Sequence, residues 1–106
     1  MRAITSVSVG NFLNRVEFSK SNMSVENVTS CWIENKHFEN VTLLKLHFNT
    51  IAVLTKNGEL YISNCGWQSD TTKERLNGLP NVSIYQRNFQ WYLNDEPWNG
   101  SLIRAR

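Results

Sequence analysis

The segment 43–63 constrains the fold most, because folding it as three antiparallel strands gathers its apolar residues on one face. Asn57-Gly58 favours a two-residue hairpin turn, since both central positions of a type I′ turn need positive φ. That turn sets Val53 opposite Ile62. A slip of one residue would exchange the two faces of every strand, so the pattern predicts one register.

A second two-residue turn is predicted at Asn49-Thr50, where it completes a three-stranded meander. The apolar residues on the predicted core face are Leu44, Leu46, Phe48, Ile51, Val53, Leu60 and Ile62. The residues that face the other way are Lys45, His47, Ala52, Leu54 and Tyr61. We expect residues that contact a ligand to lie on this second face.

A short helix follows the meander, and both of its ends carry signals. Thr71 and Glu74 have the spacing of a capping box, in which each side chain bonds a backbone amide of the other residue. Asn77-Gly78 predicts a left-handed stop with positive φ at the glycine, and Pro80 prevents the helix from continuing.

Residues 82–93 predict a hairpin with its turn at Arg87-Asn88. Its apolar face is formed by Val82, Ile84, Phe89, Trp91 and Leu93. Its opposite face carries Ser83, Tyr85, Gln90 and Tyr92. The second face is polar and aromatic, which makes it a second place to look for a binding surface.

The N-terminal part carries weaker signals. Residues 7–18 have apolar side chains at helical spacing and favour a short helix, whereas residues 19–40 fit either a second short helix or an edge strand. The whole pattern predicts an α+β fold with an antiparallel sheet. We expect one domain over residues 1–106, with a sheet, helix and hairpin core in 43–100 and a less defined part in 1–42.

Composition narrows the class of protein. The 106 residues are 41% hydrophobic and 19% charged, which suits a small globular domain, and a net charge of +2 neither indicates nor excludes nucleic acid. No apolar run approaches the roughly 18 residues of a membrane span, and the first residues lack the apolar region of a secretory signal. We therefore expect a cytoplasmic protein in which Cys31 and Cys65 are free thiols.

Residues of the types that bind metals or catalyse reactions are few, and they are scattered along the sequence. Cys31, His37, His47 and Cys65 lack the close spacing of structural zinc sites, so we predict neither a metal site nor a cofactor. Neither thiol follows a strand-to-helix turn that would activate it, and the carboxylates lie in polar surroundings. The sequence therefore predicts that the protein is not an enzyme.

The stretch from Asn57 to Gly100 contains NGELYISNCGW, TTKERLN and VSIYQRNFQWYLNDEPWNG. It resembles a family of short tailed-bacteriophage proteins, in which a strand ending near Gly-Trp leads into a Thr-Thr-Lys/Arg-x-Arg-Leu/Ile-Asn helix and a Trp-Tyr-Leu hairpin. The resemblance implies a phage origin and an accessory role in the infected cell. It carries over no catalytic residue.

Two kinds of binding surface remain open. Aromatic rings on a sheet can stack on unpaired bases while cations hold phosphates. The residues suited to this role are Lys45, His47, Tyr61, Lys73, Arg75, Tyr85, Arg87 and Tyr92. Alternatively, these side chains simply form the solvated faces of a half-exposed sheet and a helix.

Tryptophans offer a different surface, because they are enriched among the residues that dominate protein–protein binding. Trp32, Trp67 and Trp98 are the predicted anchors for a partner, although Trp67 and Trp98 could instead cap the ends of a small core. We therefore expect a phage accessory protein that binds and modulates or inhibits a host protein of transcription, replication or defence. The alternative is a nucleic-acid-binding protein, and the oligomeric state is left open.

Overall fold

The computed structural model describes residues 2–105, which contain two helices and nine strands. In chain order the elements are α1 (Ala3–Leu13), β1 (Phe18–Lys20), β2 (Met23–Ile33), β3 (Lys36–Leu46), β4 (Asn49–Leu54), β5 (Leu60–Ile62), α2 (Asp70–Leu76), β6 (Ile84–Arg87), β7 (Gln90–Leu93), β8 (Glu96–Pro97) and β9 (Ile103–Arg104). A six-stranded antiparallel sheet has the order β1-β2-β3-β4-β5-β9, and a three-stranded one has the order β6-β7-β8. The predicted α+β class, the N-terminal helix and the meander are confirmed.

The largest departure from the sequence-based prediction is the segment 19–40, which is neither a helix nor a simple edge strand. It contains all of β2 and the first five residues of β3, and each of these strands is 11 residues long. Their pairing runs past the ends of both neighbouring strands, because β1 reaches only Val25 and β4 reaches only Thr42. Residues 28–41 therefore form a two-stranded arm.

The arm changes the alternation of its faces at Asn40, whose φ is +53°. In a regular strand Phe38 would point away from Val41 and Leu43, since neighbouring side chains alternate between faces. Instead all three residues pack together with Val53 in one buried cluster, which we call the arm cluster. At the arm tip, the Glu34 carboxylate accepts bonds from the backbone and a hydroxyl of the body of the protein. The partners are the amide of Leu102 at 2.7 Å and the hydroxyl of Ser63 at 2.9 Å.

The register predicted for the meander is wrong at both turns. The first turn lies at His47-Phe48, two residues earlier than predicted, and both residues have positive φ. The second is a three-residue loop that ends in Gly58 at φ +87°, because the Thr55 amide bonds the carbonyl of Glu59. A glycine at this position is the pattern of a hairpin loop closed by a bulge.

The shifted register exchanges several predicted faces. Ala52 and Leu54 lie in the larger core, which we call the main cluster, whereas Val53 lies on the opposite face of the sheet in the arm cluster. Phe48, predicted to be buried, is exposed at the turn. The main cluster also contains Phe12 of α1, so the N-terminal helix covers this face of the sheet.

Helix α2 is capped differently from the prediction. Ser69 is its N-cap and accepts a bond from the Thr72 amide, so Thr71 does not cap it. Gly78 does not have positive φ, and the prediction of a left-handed stop there is wrong. A Cβ at this glycine would lie 2.6 Å from Cγ2 of Thr5, so the residue is small because α1 passes close by.

The second hairpin turns at Asn88-Phe89, one residue later than predicted, with φ values of +52° and +66°. Moving a two-residue turn by one position shifts the pairing by two residues and leaves the faces unchanged. Accordingly Ile84 and Trp91 are buried as predicted. Phe89 was also placed on the apolar face, and that prediction is wrong because its ring is exposed at the turn.

Candidate protein-docking surface

Helix α2 forms a ridge with an open space on each side. A cleft of about 290 Å³ separates its first turn from the β3–β4 turn, and its walls include His47, Trp67 and Thr71. On the other side a groove of about 830 Å³ is lined by α2 and strand β6, with Lys73 and Gln86 among its walls. Both spaces open on the same short helix.

Three exposed aromatic rings lie beside these spaces, and we call them the aromatic rim: Phe48, Trp67 and Phe89. Phe48 sits between His47 and Asn49, which both line the cleft, and its side chain is 89% exposed. Phe89 borders the groove and is 93% exposed, while Trp67 borders the cleft and is 63% exposed. Large apolar rings are thus presented to solvent around α2.

The two phenylalanines also adopt an unfavourable backbone conformation. Phe48 has φ +67° and Phe89 has φ +66°, and each is the second central residue of a two-residue turn. Glycine or asparagine normally occupies this position, because a bulky side chain is strained at positive φ. Since both rings are exposed, packing within the chain does not explain why phenylalanine is there. Exposed phenylalanines in such a conformation are candidates for a functional role.

Sequence reasoning missed this surface because Phe48 and Phe89 stand in apolar runs that look like strands. The signal that could have found them is the pair of polar and aromatic residues at each turn, His47-Phe48 and Asn88-Phe89. Asn88 tolerates positive φ well, and it marks the start of the second turn correctly.

Arg75, predicted to contact nucleic acid, is instead buried with 2% of its surface exposed. Its guanidinium donates to the hydroxyl of Thr5 at 3.1 Å, to the side-chain oxygen of Asn22 at 3.3 Å and to the carboxylate of Glu74. Burial raises the pKa of Glu74, but hydrogen bonds from Thr5, the Arg2 amide and Arg75 lower it more. This network joins α1 to α2 and leaves Arg75 no access to a phosphate.

The other predicted cations are mostly engaged. Lys45 pairs with Glu26 at 3.1 Å, and Lys73 pairs with Asp70 at 3.1 Å. Arg87 is exposed at the end of β6. These cations therefore do not form one basic surface.

The three tyrosines of the predicted nucleic-acid face lie in two different sheets. Tyr61 is in β5, where its ring meets Phe38 edge to face at 5.1 Å beneath the arm. Tyr85 and Tyr92 face each other across β6 and β7 and stack at 5.1 Å with an interplanar angle of 11°. Each of these two rings already covers one face of the other, which leaves less area for a base.

The predicted tryptophan anchors separate into two groups. Trp98 is buried beside Trp91 and donates its Nε1 hydrogen to the carbonyl of Ser101 at 2.9 Å, so it completes the core and is not available to a partner. Trp67 is exposed at the cleft. Trp32 is exposed on the outer face of the arm and has no part in the aromatic rim.

Comparison with known proteins gives a family. The family model for Kyanoviridae Gp96 protein matches residues 1–103. The chain belongs to this family of bacteriophage proteins. A phage origin is thereby confirmed, while the match does not single out the TTKERLN motif on which the resemblance was based. Searches of curated proteins and of solved structures found no match.

One constellation of catalytic residue types does occur, on the outer face of the arm. The hydroxyl of Ser30 lies 2.7 Å from Nε2 of His37, and Nδ1 of His37 lies 3.9 Å from the carboxylate of Glu39. Acyl transfer also needs donors aimed at the developing oxyanion in a site from which water is excluded. These residues are exposed on a two-stranded hairpin, so hydrogen bonding between strands accounts for the arrangement.

Both cysteines are free thiols and are partly buried. Burial raises the pKa of both the Cys31 and the Cys65 thiols, which keeps them protonated and poorly nucleophilic. Within residues 2–105, no three side chains among His, Cys, Asp and Glu lie close enough together to hold a metal ion. The same residues include no helix long and apolar enough to cross a membrane.

Proposed function

We propose that this phage protein binds a host protein through the aromatic rim and thereby modulates or inhibits it. The observation that carries the proposal is the pair of exposed phenylalanines at positive φ, Phe48 and Phe89, on either side of α2. Each phenylalanine raises the free energy of the unbound protein, because its backbone is strained and its apolar ring is exposed to water. Both costs are offset when the rings enter apolar pockets of a partner, which is how aromatic residues dominate binding energies.

A protein partner fits the surface better than a nucleic acid does. Binding to nucleic acid draws its affinity from free cations that replace counterions around the phosphates. Arg75 is buried, and Lys45 and Lys73 are held in ion pairs. The aromatic rim instead presents exposed apolar surface that carries no charge. We also propose that the protein binds without catalysing a reaction. The hydroxyl of Ser30, which lies beside His37, is exposed to solvent on the arm and not enclosed in a site that excludes water.

The proposal is tested by capturing partners from the lysate of host cells with the wild type and with variants of the rim. Phe48→Gly and Phe89→Gly remove the rings but supply the residue that the turns favour, so the fold should be at least as stable. We expect each variant to recover the partner with affinity lower by about tenfold or more. Trp67→Ala should weaken capture in the same way.

Trp32→Ala is the matched control, because it removes an exposed aromatic ring from the arm and not from the rim. It should capture the partner as the wild type does. Loss of capture in Trp32→Ala alone would place the interface on the arm and contradict the proposal. So would recovery of nucleic acid whose affinity falls steeply with salt and whose binding needs Arg87.

The proposed lack of catalysis has its own test. A fluorophosphonate reagent labels serines that an adjacent histidine activates. We expect no labelling of Ser30, because the arm offers its hydroxyl no stabilised oxyanion. Labelling that disappears in both Ser30→Ala and His37→Ala would show an activated nucleophile.

A further inference from the structure

The groove beside α2 exposes one edge of the three-stranded sheet. Strand β6 pairs with β7 on one side and faces the groove on the other. The turn between them has two residues, so the flanking pair Arg87 and Gln90 exchanges hydrogen bonds, and every second pair does the same. The bond from the Asn94 amide to the Ser83 carbonyl, four residues further along, agrees with this alternation.

It follows that Ile84 and Gln86 direct their main-chain groups away from β7, toward the groove. At Ile84 both groups are already bonded, because the side chain of Asn77 in α2 takes the place of a neighbouring strand. Its oxygen accepts from the Ile84 amide at 2.6 Å and its nitrogen donates to the Ile84 carbonyl at 2.9 Å. Asn77 thus makes the two hydrogen bonds that a neighbouring strand would make at Ile84.

Gln86 is the next position with outward main-chain groups, and it borders the groove. Its side-chain oxygen accepts a bond from Nζ of Lys73 in α2 at 3.2 Å, which leaves the main-chain groups of Gln86 unused by that contact. An extended peptide laid along β6 can therefore form two main-chain hydrogen bonds at Gln86, continuing the ladder that Asn77 begins. Pairing of this kind is a common mode of peptide recognition.

We propose that an extended segment of the protein partner enters this groove and pairs with the main chain of Gln86 as a fourth strand. The inference rests on the proposed function and adds to it the form that the partner takes. The Asp70 carboxylate at the groove mouth pairs with Lys73 through one oxygen, and its side chain is wholly exposed, so its second oxygen can receive a basic side chain. The segment therefore carries a basic side chain opposite Asp70.

The test distinguishes the contribution of the Gln86 main chain to peptide binding from that of its side chain. Gln86→Pro removes the outward amide hydrogen, and proline is tolerated on an edge strand where that hydrogen faces solvent. Gln86→Ala keeps the amide and removes only the side chain. Peptides of about seven residues are selected from a random displayed library against the wild type, then measured with each variant.

We expect selected peptides to be extended and basic, and to bind Gln86→Ala as they bind the wild type. Gln86→Pro should weaken them by about tenfold, since it leaves a peptide carbonyl without its donor. Asp70→Asn should weaken the basic peptides while folding as the wild type does. Failure to select any peptide, or equal affinity for Gln86→Pro, would overturn the inference.

Two further outcomes are informative. If Gln86→Pro still captures the host protein and Phe89→Gly does not, the proposed function stands and the added strand is excluded. If the wild type forms dimers that Gln86→Pro abolishes, the fourth strand comes from a second copy of this chain, which also contradicts a partner peptide. Thermal unfolding of Gln86→Pro confirms that the variant used in each comparison is folded.

Discussion

The two faces of the six-stranded sheet are covered in very different ways. One face carries the main cluster, where both helices and the small sheet bury residues such as Phe12, Leu44 and Trp91. The other face carries the arm cluster, where the chain folds its own hairpin back over Leu43 and Val53. The main cluster is covered by elements from across the chain, whereas the arm cluster is smaller and is covered by one hairpin.

This difference teaches which part of the molecule sets its stability and which part can move. Opening the main cluster requires separating both helices from the sheet, so we expect it to unfold only with the whole protein. The arm can lift without that, because only the Glu34 carboxylate at its tip and the small arm cluster, with Tyr61 and Leu102 beneath it, hold it to the body. Regions with few buried contacts open locally at lower free energy.

The largest expected effect is that of Phe12→Ala, in the main cluster. The ring is fully buried, so its removal should lower the free energy of unfolding by about 3–5 kcal/mol. Urea unfolding measures the change. A loss no greater than that caused by removing an arm residue would contradict the comparison.

The second effect is that of Phe38→Ala, whose ring is buried in the arm cluster. We expect a smaller loss of about 2 kcal/mol, because the arm can open without global unfolding. Hydrogen exchange should show faster exchange of the arm amides while those of β4 stay protected. Uniform acceleration across the sheet would mean that the arm is part of the main folding unit.

The third effect tests how closely the two helices approach on the main face. Gly78→Ala adds a methyl group 2.6 Å from Cγ2 of Thr5, and we expect a loss of about 1–2 kcal/mol. Thr5→Ser keeps the buried hydroxyl and removes that methyl group. The double variant should recover part of the loss, and strict additivity would argue against the contact.

The smallest effect concerns acid and the network between the helices. The pKa of Glu74 is lowered below its ordinary value of 4.5: burial raises it, but hydrogen bonds from Thr5, Arg2 and Arg75 lower it more. A lowered folded-state pKa gives stability that is full above the unfolded pKa and is lost as pH falls through the folded value. Between about pH 6 and about pH 3, urea midpoints should fall less for Glu74→Gln than for the wild type. If the urea midpoints of the two proteins fell equally with pH, Glu74 would not contribute to the loss of stability in acid.

The sequence predicts which strand residues are buried correctly where an error in the position of the turn does not exchange the two faces of the strands. Ile84 and Trp91 were placed correctly even though the hairpin turn was one residue off, because the pairing shifted by two. In the meander the three-residue loop ending at Gly58 shifted the pairing by one, and Val53 and Leu54 exchanged faces. Asparagine followed by glycine predicts a turn but does not fix its length.

The arm and the docking surface could not be predicted for physical reasons. Asn40 reverses the alternation within β3, so no regular period of two runs through residues 36–46. Phe48 and Phe89 are apolar residues in strained, exposed positions, which is the opposite of what propensity favours. Where local rules fail in this way, the failure itself marks a candidate functional site.

Side chains that close sheet edges also bear on how the protein behaves at high concentration. Asn77 closes β6 at Ile84, and the carboxylate of Glu17 accepts a bond from the Asn27 amide of β2, just past the point where β1 stops. An open strand edge is a template on which further chains can add to form fibres. At Ile84 and Asn27 the protein's own side chains occupy the edge, so strand addition is limited to the positions that stay open, such as Gln86.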